Sequence, residues 1–312
     1  MVGLITHPAC LAHDTGPGHP ERPDRLRAIL AHLQSTDLWP RLRHIEAPLG
    51  ERAAIELIHP ASYVDAVERA CRNGPFALDP DTIVSPSSWN AARRAVGAVT
   101  RAVDLVADGE LTAAFCAVRP PGHHAMPNRA MGFCLFNNVA IAARHAQRRP
   151  DVERVLIVDW DVHHGNGTQA AFYSDPSVLY FSTHQEPFYP GTGGADETGR
   201  GPGDGTTINV PLAAGSGDAE LLDAFTRRLV PIADQFRPQL VLISAGFDAH
   251  RDDPLAALDA TESGYAALTR IVIDLARRHC NGRIVSVLEG GYDLPALAAS
   301  VKVHVRVLAQ SV

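Results

Sequence analysis

The sequence predicts an α/β protein: a single-domain, mostly parallel central sheet flanked by helices. Short apolar, β-branched runs alternate along the chain with longer stretches of helical periodicity, the pattern of a sheet covered on both faces. With 312 residues, 46% of them hydrophobic, the chain can bury one large core; no Gly/Ser linker or charge run marks a boundary, so residues 1–312 read as one domain. Polar residues of metal-ligand type stand just after several apolar runs, where open α/β sheets build their sites.

Taken in order, residues 2–6 form a first strand and run into HDTGPGHPERPDRL, which reads equally as the wall of a site or as a turn-rich connector. Helical spacing follows over 22–34, 62–70 and 89–106, the last alanine-rich with Ser87 or Ser88 available as its cap. Between the last two, 79–86 reads as a polar loop. A strand over 112–118 leads into RPPGHHAMPNRAMGFCLFNN, and a helix follows over 138–148. The run VLIV at 155–158 is too brief for a helix and right for a buried parallel strand, with a turn expected at 165–167. Further strands are expected at 178–182, 207–210, 240–244 and 284–288, with helices at 218–234, 262–278 and 294–308. The glycine-rich GTGG and GRGPGDG lack the K-[ST] of a phosphate loop and read as loops.

Composition excludes several function classes. A net charge of −7, with both signs spread along the chain, offers no basic footprint for nucleic acid. Lys302 is the only lysine, from which no mechanism follows. Five cysteines without a C-x-x-C indicate neither a disulfide framework nor a structural zinc site and fit a reducing compartment. No signal sequence or membrane-length apolar run is present, so a cytoplasmic protein with no membrane partner is expected; homo-oligomerisation is left open. The sequon at Asn166 is accidental in that setting.

The chemistry gathers at four strand ends. His123 and His124 follow the strand at 112–118, Asp161 and His163 follow 155–158, Asp248 follows 240–244, and Tyr292 follows 284–288. Two carboxylates and one imidazole, Asp161, His163 and Asp248, make a three-ligand set that leaves a position for water or substrate, the pattern of a catalytic zinc. An O/O/N set also accepts Fe(II). Asp159, Asp161 and His163 share parity along an extended chain and project to one side, which places Asp159 to orient an imidazole or to cap backbone amides. Paired histidines on a Pro-Pro-Gly turn point to acid–base work, and two glycines before Tyr292 let its phenol approach the metal.

RPPGHHA, GFCLFNNVAIAARHA, VDWDVHHGNGTQ, SAGFDAHRDDPL and LEGGYDL, in this order over about residues 16–309, resemble the zinc-dependent histone deacetylase family, in a form similar to its class II and bacterial histone-deacetylase-like amidohydrolase members. The resemblance implies the arginase/deacetylase fold with a parallel sheet of about eight strands. It implies Asp161, His163 and Asp248 as ligands of one Zn2+ per chain, and His123, His124 and Tyr292 as catalytic residues. It also implies Asp159 bonded to His123, and Asn166 at the position where class I members carry aspartate. Phe133, with Phe188 or Tyr189, would line an acyl-lysine tunnel, and Asp81 would accept from the substrate backbone. Groups near Asp159, Asp161, His163, Ser182 and Thr183 match a monovalent-cation site, with K+ as its ion. MPNRAM after the histidines and Pro295 after EGGYDL depart from the pattern.

The expected reaction is hydrolysis of an N-acyl amide, with zinc activating water, His124 as general base and then acid, His123 electrostatic, and Tyr292 on the oxyanion. The expected substrate is an acylated lysine in a peptide or protein, or a similar small acyl-amine. Polyamine-selective relatives carry glutamate at the mouth where this chain has Leu255, which favours acyl-lysine; the alternative is an acetylpolyamine amidohydrolase, with Asp252 and Asp253 supplying the charge. An arginase-like ureohydrolase would need D-x-H-x-D and a further Asp, where this chain has Gly165 and His250. A catalytically dead acyl-lysine reader would lack the tyrosine or histidines that are present.

Overall fold

The computed structural model describes residues 1–310. In chain order its strands are β1 (Val2–Thr6), β2 (Arg43–Glu46), β3 (Phe76–Asp79), β4 (Thr82–Val84), β5 (Ala113–Cys116), β6 (Val155–Asp159), β7 (Val178–Gln185), β8 (Thr207–Leu212), β9 (Leu240–Ala245) and β10 (Ile284–Leu288). Its helices are α1 (Pro23–Gln34), α2 (Arg52–Ile55), α3 (Ala61–Asn73), α4 (Ser88–Ala107), α5 (Asn138–Ala146), α6 (Asn166–Phe172), α7 (Asp218–Ala224), α8 (Val230–Phe236), α9 (Glu262–Cys280) and α10 (Leu294–Gln310).

The apolar runs form strands because helices bury them from both sides: every residue of β5, β6, β7, β9 and β10 is buried. Eight strands pair in the order β2-β1-β5-β10-β9-β6-β7-β8, all in parallel. β5 and β6 follow each other in sequence yet stand two strands apart, and β10 and β9 fill the gap. The four strands whose ends carry the polar motifs are therefore neighbours, and their C-terminal ends open on one edge. Register fixes the height of that edge, pairing Asp159 with Ser182 on one side and with Ser244 on the other.

The seven expected strands are present with small shifts at their ends. Four local expectations need correction. The polar loop at 79–86 contains the second half of an antiparallel hairpin, β3–β4, whose outer face is exposed at Phe76. The turn at 165–167 is the entry to α6: Gly167 N and Thr168 N donate to His123 O, which satisfies helix-start amides that the sequence NGT caps poorly. The helix expected over 218–234 is interrupted by a π segment, Phe225–Leu229, beside Pro231, whose missing N–H breaks the regular ladder. Neither Ser87 nor Ser88 caps α4 with its side chain; instead the Ser88 hydroxyl accepts from Ser85 N and meets His13 Nδ1 at 2.7 Å. β2 went unforeseen because it is a short edge strand of alternating burial, RHIE. Pro295 sits in the first turn of α10, where its missing N–H is harmless.

Several histidines are buried as neutral groups. His304 joins Thr269 Oγ1 (2.8 Å) to Ser286 Oγ (2.9 Å) between α9, α10 and β10, and burial lowers its pKa to about 3. Burial likewise holds His13, His59 and His184 at about 4. The unfolded chain binds these protons near pH 6.5 and the folded chain refuses them until pH 3–4. Stability therefore falls as pH drops below 6.5, by about 1.4 kcal/mol per pH unit for each such histidine. Urea unfolding at pH 7, 6 and 5 should show this decline, offset in part by Glu289, whose carboxyl burial raises to about 7, and His304→Gln should make it shallower by one proton; an unchanged slope in that variant would contradict the buried neutral state of His304.

Candidate metal centre and active site

Asp161 and His163 lie on the loop leaving β6, and Asp248 on the loop leaving β9. Each offers a donor atom, and these atoms all lie within 4.8 Å of one another. Backbone amides aim the carboxylates: Asp161 accepts from His163 N (2.9 Å) and Gly290 N (2.8 Å), while Asp248 Oδ1 accepts from Val162 N (2.9 Å). Gly290 is required by space, since a Cβ there would lie 2.0 Å from Asp248 Oδ2 and 2.6 Å from Asp161 Oδ2.

Asp248 Oδ2 is buried without a hydrogen bond and lies 3.2 Å from His163 Nδ1. Burial, then the charge of Asp161, pushes the Asp248 carboxyl up. For Asp161 burial acts in the same sense, but His123 and His163 outweigh it and hold the group down. An unsatisfied carboxylate oxygen beside a second buried carboxylate is a repulsion that a cation relieves. The O/O/N donor set fits a divalent metal of the zinc type with positions left for water and substrate.

The loop from β5 brings two imidazoles beside this cluster. Glu289, at the end of β10, fixes the loop by accepting from Gly122 N (2.7 Å) and His123 N (3.2 Å). The two rings stand 4.0 Å apart with different partners. His123 Nδ1 is 3.0 Å from Asp159 Oδ2, which also accepts from the Tyr180 hydroxyl at 3.1 Å. Asp159 Oδ1 accepts from Asp161 N (3.2 Å), so the one carboxylate faces both an imidazole and a backbone amide. His124 Nδ1 is 2.8 Å from Asn166 Oδ1 at the start of α6. Burial opposes charge on both rings. For His123, Asp161 and Asp159 overcome it and raise the pKa well above normal; for His124, burial aided by His123 and His163 lowers it well below.

Tyr292 follows two glycines, the second at φ 124°, where a side chain would be strained. Its ring lies between the Arg25 guanidinium, 4.9 Å from the centroid, and the edge of Phe133 at 5.9 Å. Arg25 is buried in α1 and donates to Gly291 O (2.6 Å) and Glu289 O (2.5 Å). Glu21 holds Arg25 at 3.1 Å and Arg119 at 2.8 Å. Burial would raise the Glu21 carboxyl, but Arg119 first and Arg25 next bring it down to about 2. Burial raises the Tyr292 phenol, against the pull of Arg25.

Above these groups a narrow cleft of about 90 Å³ is lined by Asp81, Phe133, Tyr189 and Leu255, with His123, His124, His163 and Tyr292 also on its wall. Tyr189 faces the cleft, whereas Phe188 stacks on the His163 ring at 5.3 Å and is not among its lining residues. Phe133 adopts φ 67°, a left-handed conformation held by Thr82 Oγ1, which accepts from Phe133 N at 3.1 Å. The Asp252-Asp253 pair divides: Asp252 is exposed, while Asp253 turns inward and accepts from Leu255 N, Tyr292 N and Asp293 N. Ser182 and Thr183 lie beside the end of β6; Ser182 Oγ is 2.9 Å from His184 Nδ1, and Thr183 Oγ1 is buried without a partner. His250 faces Asp252 and Glu262 and is not part of the donor cluster.

The sequence reading missed Glu21, Arg25 and Arg119. An i,i+4 Glu–Arg pair at the start of α1 and an arginine before Pro120 were the available signals; neither reveals burial. The loop carrying Glu21, which the sequence allows as connector or wall, backs the site: His19 packs on Phe133 at 4.8 Å.

Comparison with known proteins gives the family. The sequence model described as histone deacetylase domain matches residues 19–308. Histone deacetylase 15 of Arabidopsis thaliana is 44% identical over 93% of this chain, which spans about half (52%) of that protein's length. Histone deacetylase-like amidohydrolase of Pseudomonas aeruginosa is 41% identical over 88% of this chain and 73% of its own. A probable deacetylase of Archaeoglobus fulgidus is 39% identical over 94% and 82%. The crystal structure of the HDA15 HD domain superposes with a TM-score of 0.94 at 42% identity, covering 98% of this chain and 90% of that one. The chain thus belongs to the histone deacetylase family of amide-hydrolysing enzymes.

Proposed function

We propose that this protein removes acyl groups from acylated lysine side chains, or from similar small acyl-amines, with Asp161, His163 and Asp248 as the ligands of one metal ion. The observation that carries the reading is the convergence of that donor cluster, the His123–His124 pair and Tyr292 at the base of one apolar-walled cleft. Zinc held there would supply Lewis acidity to the acyl carbonyl and to an attacking water. His124, with Nδ1 committed to Asn166, takes the proton of that water at Nε2 and returns it to the leaving amine. His123, charged between Asp159 and Asp161, steadies negative charge beside the reacting carbon. Tyr292 donates its hydroxyl hydrogen to the oxyanion, and Arg25 beneath the ring keeps the phenol in place. Phe133 and Tyr189 exclude water from the acyl-bearing chain, and Asp81 at the rim accepts from the substrate backbone.

Two features favour acyl-lysine over a polyamine. Leu255 presents no charge at the mouth, and Asp253 is spent on backbone amides. A potassium ion between the ends of β6 and β7 is part of the proposal, supported by the unpaired Thr183 hydroxyl. We also place the activity in the cytoplasm, which five buried free thiols support. Among the described residues no helix is long and apolar enough to cross a membrane.

Asp248→Ala should lose metal and activity together, because a three-ligand site stripped of one carboxylate binds weakly. Elemental analysis showing full zinc occupancy in that variant would sink the ligand assignment. Tyr292→Phe should keep metal and fold while turnover falls about 10²–10³-fold, since a lost oxyanion donor acts on the transition state. A raised KM alone would make Tyr292 a binding residue. The kcat/KM for an acetyl-lysine peptide should exceed that for N8-acetylspermidine. Leu255→Glu should move the ratio toward the polyamine through Coulomb attraction of about 1–4 kcal/mol at contact. A clear preference of the unaltered protein for the polyamine overturns the substrate assignment.

A further inference from the structure

The segment MPNRAM, between the paired histidines and Phe133, folds over the far side of the Asn166 amide. Met126 N donates to Arg129 O at 2.9 Å, closing a tight turn that returns the chain to Met131. Asn166 Nδ2 donates to both flanking sulfurs, Met126 Sδ at 3.2 Å and Met131 Sδ at 3.4 Å. The Met131 sulfur also accepts from Arg129 Nη2 at 3.1 Å. Gly132, next in the chain, runs against the His124 ring so closely that a Cβ would lie 2.4 Å from its Cδ2. One turn of backbone thus touches both members of the His124–Asn166 pair.

We infer that Met126 and Met131 are positioning residues that select the tautomer of His124 through the orientation of Asn166. The inference rests on the proposed role of His124 as the base. An amide can point either way, and the two orientations have opposite consequences. As found, Oδ1 faces His124 Nδ1, so Nδ1 carries the hydrogen and Nε2 keeps its lone pair for the substrate water. Turned over, Nδ2 would face His124 and require an acceptor at Nδ1, moving the hydrogen to Nε2 and removing the base. In that orientation Oδ1 would also face two thioethers, which donate nothing. A pair of weak acceptors is thus enough to make the productive orientation the lower one. An aspartate at 166 would need no such help, because both of its oxygens accept.

The test compares the zinc-loaded protein with the Met126→Leu/Met131→Leu double variant, alone and together with Asn166→Asp. Leucine keeps the apolar volume and removes the sulfur acceptors. Long-range 1H–15N correlation of labelled histidine should find His124 protonated at Nδ1 in the unaltered protein. The leucine variant should show the Nε2–H form in the majority, about two-thirds to nine-tenths of the population. Its kcat on an acyl-lysine peptide should fall about three- to tenfold with KM and zinc content unchanged, the range of one or two weak hydrogen bonds. In the Asn166→Asp background the same leucine pair should change neither tautomer nor kcat. A leucine variant with the tautomer unchanged overturns the inference, and so does an equal loss in the aspartate background. The imidazole spectrum does not depend on turnover, so an unaltered protein that shows the Nδ1–H form but no deacylation would sink the reaction and leave the positioning role standing.

Discussion

Two carboxylates that cannot share a buried space unaided are the constraint on which this molecule is arranged. Asp161 and Asp248 come from different strands, yet their oxygens belong to one donor cluster with His163, away from water. Like charges in a site of low dielectric repel by several kcal/mol, so something must supply positive potential there. The chain does this in layers. Backbone amides of Val162, His163 and Gly290 point at the oxygens, and the imidazole of His123 lies 3.7 Å from Asp161 Oδ1. The remaining deficit, at Asp248 Oδ2, is what a divalent cation would meet.

That arrangement explains why the EGGY turn after β10 has its composition. Gly290 must come within a methyl group's reach of both carboxylates. Gly291 must take a φ that a side chain resists. Glu289, buried and raised to about 7 by burial, faces the other way and accepts the amides of the histidine loop. One four-residue turn therefore connects the carboxylate–imidazole donor cluster, the paired histidines and the phenol. Arg25 binds two of its carbonyls, and Glu21 joins Arg25 to Arg119, so the turn is tied to α1 and to the loop after β5. Removing Glu21 would leave two buried guanidiniums uncompensated, a larger disturbance than losing one surface ion pair.

What was legible in the sequence and what was not divide along physical lines. Buried parallel strands are continuous apolar runs, and a site at their carboxyl ends is a fixed offset from each run; β5, β6, β9 and β10 and the residues after them could be read for that reason. Edge strand β2 alternates half-buried and exposed residues and pairs only with β1, far earlier in the chain; the hairpin β3–β4 pairs locally, but its strands FALD and TIV are too short to announce a strand pattern. α6 begins on Asn-Gly, a poor helix start by propensity, because His123 O receives its first amides. The choice between Phe188 and Tyr189 could not be made from the sequence: adjacent residues point in different directions, and only the fold shows which one meets the cleft. Nor does the sequence show that Asp253 turns inward to accept three backbone amides while its neighbour Asp252 stays exposed.

The adjacent histidines show how one loop can hold two different chemistries. Their rings are 4.0 Å apart and equally buried, and burial alone would make both neutral. The difference is in the partner at Nδ1. His123 meets a carboxylate, Asp159, and has a second one, Asp161, near Nε2, so its charged form is retained. His124 meets an amide, Asn166, which orients the ring without stabilising its charge, and the cation next door discourages a second one. An aspartate at 166 would draw the two rings toward the same state; an asparagine keeps them apart. The amide brings its own weakness, since it can turn over where a carboxylate cannot, and the sulfurs of Met126 and Met131 occupy the side from which that turning would be opposed. The proposed separation of acid–base from electrostatic duty in this site would therefore depend on a neutral side chain and on the apolar groups that hold it.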